Sequence, residues 1–183
     1  MKKADERLAK ENKIVNACLN AIVSLNSKES PKILLNVIKT GADDIGAAFG
    51  LFSIKDLDKE YVKTNLKGSK TILGNFVLAI LGESEGKTFI KNCLENGSIQ
   101  ERLQAAGFAG ILRDKNLIGA LNNLLEYTNS SYYPTDLYVR QAAWKALVDT
   151  IWQHKSKSVS ALNYWTIKKT SAIIPLLTLK VLT

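Results

Sequence analysis

The chain has 183 residues, 46% of them hydrophobic and 23% charged, and carries a net charge of +8. This length and composition exclude a disordered chain and suffice for one domain with a buried core, over residues 1–183. One histidine and two cysteines, Cys18 and Cys93, stand at no metal-ligand spacing, so neither a metal nor a cofactor is expected.

No apolar run reaches the length of a membrane span, and the charged start from Met1 to Arg7 lacks the core of a signal peptide. The expectation is a cytoplasmic chain with both thiols reduced and buried. The first predicted element is a helix in which Leu8, Val15, Cys18, Leu19, Ile22 and Val23 share a face behind two charged turns. Ser30-Pro31 starts the next, with proline in the first turn, where no N–H is needed. Ile45, Phe49 and Phe52 mark a helix after Asp43-Asp44, and Leu57, Tyr61 and Leu66 mark another.

Glycine then recurs with serine close behind it: Gly68-Ser69, Gly82 with Ser84, and Gly97-Ser98. Glycine just past a helix supplies a left-handed turn, and the serine caps the next helix. Between the first two turns, Ile72, Leu73, Phe76, Val77 and Ile80 fall on one helical face. The segment Gly82 to Thr88 then imitates a phosphate loop. Three residues rather than four separate Gly82 from Gly86-Lys87, and two of the three are Glu83 and Glu85, where phosphate charge would have to sit. The run before it has helical spacing as well, so this is expected to be an inter-helix turn.

Ser98 with Glu101 forms a capping box. A helix over Asn116–Thr128 carries Leu117, Leu121, Leu124 and Leu125. A polar, aromatic turn containing Tyr132 and Tyr133 precedes Pro134-Thr135-Asp136, which opens a helix over Thr135–Lys155. Val139, Ala143 and Ala146 form its stripe, widened by Trp144, Leu147, Val148 and Ile151. Strands are not predicted, because no alternating run is flanked by hairpin turns. With His154 alone, no nucleophile–base arrangement takes shape either.

Residues Asp136 to Leu147 resemble a HEAT repeat through Val139, Arg140, Ala142, Ala143, Ala146 and Leu147. A second copy lies 37 residues earlier (141 − 104), where Gln104 to Ala109 align with Gln141 to Ala146. In that copy Arg102 is displaced by one position, and Ile99 stands where Asp136 does. The two copies cover roughly residues 98–170; residues 1–97 match in helix length and punctuation. The resemblance implies an all-α, right-handed superhelical stack of antiparallel helix pairs, a HEAT/armadillo-like α-solenoid of about four or five pairs. It also implies a non-enzymatic scaffold or adaptor presenting a concave surface to a protein partner.

Candidate partner-binding residues are Arg140 and Trp144, Tyr132 and Tyr133 of the turn, and Lys155, Lys157, Lys168 and Lys169. After Asp149 no acidic residue follows, and these four lysines and Lys180 are interleaved with Trp152, Tyr164 and Trp165. The alternative is therefore a nucleic-acid-binding HEAT-like protein, with lysines on phosphates and rings on bases. Within that alternative the chain is similar to the alkylpurine DNA glycosylases in residue type at Trp144, Trp152, Asp149 and Arg140. The apolar end, Ile173 to Leu182, lacks the polar face of a capping helix, which leaves three expectations: a homodimer contact, a swap, or continuation into a further segment.

Overall fold

The computed structural model describes residues 2–41, 45–128 and 133–154. Among them there is no strand, and the helices are α1 (Lys2–Leu25), α2 (Ser30–Lys39), α3 (Ile45–Ser53), α4 (Lys59–Leu66), α5 (Ile72–Ile80), α6 (Ser84–Asn96), α7 (Ile99–Leu112), α8 (Ile118–Leu125) and α9 (Tyr133–His154). A 3-10 turn, Lys115–Leu117, leads into α8. None of the described helices is long and apolar enough to cross a membrane.

Local chemistry sets most of these boundaries. Pro31 sits in the first turn of α2. The Asp58 carboxylate caps α4 by accepting from the Tyr61 N–H at 3.0 Å. At α7 the Ser98 hydroxyl accepts from the Glu101 N–H at 3.3 Å, and the Glu101 carboxylate accepts from the Ser98 N–H at 2.7 Å. The predicted capping box is thus complete, and these hydrogen bonds hold the Glu101 carboxyl below its ordinary value.

The glycine–serine pattern holds only in part. Gly68 and Gly82 take φ of +70° and +90°, as a left-handed turn requires. Gly97 has φ −71°. It is needed for closeness instead, since a Cβ there would collide with the Cys93 carbonyl and crowd Glu101. Nor does Ser69 cap α5. Thr71 does, accepting from the Gly74 N–H at 3.1 Å, while Ser69 lies two residues too early. Ser84 is already helical, with Glu83 in the capping position.

The core runs through α5. A single inward face was expected there, but every residue from Leu73 to Ala79 is buried, because α6, α7, α2, α4 and α3 pack around it. Phe76 stacks on Phe108 of α7, ring centroids 4.2 Å apart. Gly86 lets α6 lie directly on α5, for a Cβ on it would enter the shell of the Asn75 carbonyl and the Ala79 nitrogen. Cys93 is buried as expected, and burial, with help from the nearby Glu101 charge, pushes its thiol up to about 11.

Two N-terminal expectations are corrected. Cys18 is exposed, as is Val15, and α1 packs on the core through Leu19, Ile22 and Val23. On α3 the inward residues are Ala47, Ala48 and Leu51, which leaves Phe49 48% exposed. Small residues face the core there because α2 and α1 lie close.

In the C-terminal part the broadest interface is α7 against α9. Ala105, Ala106 and Ala109 meet Val139, Ala143, Ala146 and Leu147, all buried. A Cβ on Gly110 would lie 3.1 Å from the Ala146 Cα, so the helices cross closely there. The repeat register pairs α7 with α8, yet the main neighbours of α8 are α9 and α6. Arg113 ends α7 in the left-handed region (φ 53°), and Lys87 of α6 holds Asp114 at 2.9 Å, which steers the chain toward α6. Arg102 braces the turn between α6 and α7. Its guanidinium donates to the carbonyls of Leu94, Glu95 and Gly97, each at 2.7 Å, and lies over the Tyr127 ring.

Candidate functional site

Close packing of small residues between α7 and α9 leaves a trough above them, and the trough is the candidate site. It is an open groove of about 430 Å³. Its walls are Ile45 of α3, Leu73 of α5, and Leu103, Phe108 and Ile111 of α7. Its floor is Ala106, Gly107 and Gly110 of α7 with Ala142 and Ala146 of α9. Phe108 is held by its stack on Phe76, whereas Ile111 stays 43% exposed.

Three polar side chains reach the groove: Gln104 from α7, and Lys145 and Asp149 from α9. Lys145 and Asp149 are four residues apart on one helix, an order in which a Lys–Asp pair gains little. Neither makes an ion pair among the described residues. The groove thus offers an apolar bed with one positive and one negative group at its edge. Among the described residues no group of three or more His, Cys, Asp or Glu could hold a metal ion.

The residues expected from sequence fall elsewhere. Arg140 and Trp144 lie half-buried on α9 without lining the groove, and Tyr133 is the first residue of that helix. Tyr132, Lys155, Lys157, Lys168 and Lys169 are outside the described residues, as are Tyr164, Trp165, Lys180, the apolar end Ile173 to Leu182 and Asp43-Asp44. Asp149, considered only through the glycosylase likeness, does line the groove. Gln104, Gly107, Ile111 and Lys145 were not singled out as site residues. The available signal was Gly107, a glycine in mid-helix.

The phosphate-loop imitation is fully used by the fold. The residues before it are helix α5, and Leu81 to Glu83 is the turn. Gly86 is the α5–α6 contact, Lys87 is paired with Asp114, and Glu83 with Lys63 at 3.1 Å. Glu85 accepts from the Gly68 N–H at 2.9 Å. Burial pushes the Asp114 carboxyl up, but the Asn116 N–H and the Lys87 ammonium outweigh it and hold the group below its ordinary value. No protein-family model, curated protein or solved structure matches the chain.

Proposed function

We propose that the chain is a non-enzymatic, HEAT-like helical-repeat scaffold that presents the α7–α9 groove to a protein partner. The observation that carries this reading is the groove: an apolar bed with an exposed isoleucine and polar groups beside it, built on two packed helices. The placing of α7 and α9 supports it too. These two helices carry the repeat likeness and lie side by side along their alanine faces, as first helices of stacked repeats do.

A photo-crosslinking residue at Ile111 tests the reading, with one at the exposed Lys32 as control. The expected result is a discrete protein adduct from position 111 only, lost when Gly107→Trp fills the groove. Adducts identical at both positions, or with nucleic acid alone, would overturn it. The nucleic-acid alternative rests on lysines outside the described residues, and the Asp149 carboxylate makes the groove itself a poor bed for phosphate.

A further inference from the structure

We infer that the groove takes one amphipathic α-helix of the partner, laid against Gly107 by its apolar face and fixed by two opposite charges; this rests on the scaffold reading above. A mid-helix glycine weakens its helix relative to alanine, so packing normally accounts for it. Gly50 and Gly110 have such a reason: a Cβ on them would lie 3.0 Å from a Val23 methyl and 3.1 Å from the Ala146 Cα. Among the described residues a Cβ on Gly107 would meet nothing within 4 Å. Its effect is to lower the ridge of α7 to bare backbone in the middle of the groove, and small residues at a crossing are what let two helices approach closely.

The charges say what should lie there. Lys145 and Asp149 are one turn apart, about 6 Å along α9. A helix with an acidic and a basic residue four positions apart on its groove-facing edge matches both at once. An extended strand has less to hold, because the backbones of α7 and α9 already bond within their own helices and offer no open edge. A phosphate backbone would meet the Asp149 carboxylate.

The test uses the full chain and a helix-stabilised synthetic peptide, with a central alanine flanked by leucines on one face and Arg and Glu four residues apart. Fluorescence anisotropy should show binding that Asp149→Lys weakens about tenfold, through loss of a partly desolvated ion pair. Replacing the peptide's Arg with Glu should restore affinity for Asp149→Lys while weakening it for the unaltered chain. Gly107→Ala should raise Tm yet weaken the peptide severalfold, opposite effects that a purely structural glycine would not give. Binding indifferent to these changes, or amide shifts that bypass Ala142 and Ala146, would overturn the inference. A dimer of the chain that Gly107→Trp dissociates would overturn it as well, by putting a second copy in the groove. If Ile111 crosslinks a protein partner but the peptide does not bind, the helix inference fails and the scaffold reading stands; loss of both results removes both.

Discussion

Helices α5 and α7 touch through Phe76 and Phe108, yet they are buried in different ways. Helix α5 is covered on all sides from Leu73 to Ala79. Helix α7 buries Ala105, Ala106, Ala109 and Gly110 and leaves Gly107 and Ile111 exposed. The difference comes from the number of neighbours. Five helices surround α5, whereas among the described residues α7 has α9 on one side, α5 and α6 on another, and Gly107 and Ile111 exposed between them. A helix wholly inside can only stabilise; one with a bare side has surface left for binding.

The contrast can be broken most strongly at the aromatic stack. Phe76→Ala should lower stability by about 3–5 kcal/mol in urea unfolding, whereas Ile111→Ala should lower it by less than about 1 kcal/mol. Comparable losses would mean that the α7 side is not open.

Glycine to alanine, applied to each region, should then give opposite signs. Gly86→Ala puts a methyl into the α5 backbone and should cost roughly 1–3 kcal/mol. Gly107→Ala meets none of the described residues and should stabilise by about 0.5–1 kcal/mol. Ala143→Leu belongs with the first, overfilling the α7–α9 contact at roughly 1–3 kcal/mol. Thermal unfolding of the three variants decides the matter.

Smaller effects lie at the helix ends. Ser98→Ala should cost about 1 kcal/mol through the lost cap. Glu101 and Asp114 both have carboxyls held below their ordinary values of 4.5 and 3.8. Their stabilisation is therefore complete above those values and is lost as pH falls through the lower folded-state values. Combining Glu101→Gln with Asp114→Asn should flatten the acid limb of the stability profile; an unchanged limb would assign acid unfolding to other groups. Smallest of all, Lys87→Ala should cost at most about 1 kcal/mol, since its ion pair is partly exposed. Magnesium with ATP or GTP should leave Tm where it is.

What could be read in the sequence was local. The Ser98–Glu101 box, Pro31 at the start of α2 and the left-handed turns at Gly68 and Gly82 each depend on a few adjacent residues. The α5 face was misread because burial on every side is decided by helices distant in sequence. Cys18 was misplaced for the same reason, since which face of α1 is covered depends on how α2 and α3 lie against it. Ser69 was expected to cap α5, and Thr71 does so instead, because the helix begins two residues later than the glycine turn suggests. In the groove, Lys145 and Asp149 look like any solvated pair until α7 is set beside them. Gly107, aligned opposite Trp144, carried a local sign that has meaning only once the helices around it are placed.

The brace at Arg102 also bears on how the protein ages chemically. Asn96-Gly97 is the dipeptide at which asparagine most readily cyclises to a succinimide, a step in which the glycine nitrogen must swing onto the asparagine side-chain carbonyl. Here the Gly97 N–H donates to the Cys93 carbonyl at 3.0 Å, and the Asn96 amide donates to the Asn92 side chain at 2.9 Å. The Gly97 carbonyl is meanwhile held by Arg102 at 2.7 Å. The folded chain keeps the reacting atoms out of alignment, so deamidation at Asn96 becomes a slow clock for opening of the α6–α7 joint. In Arg102→Ala that clock should run faster.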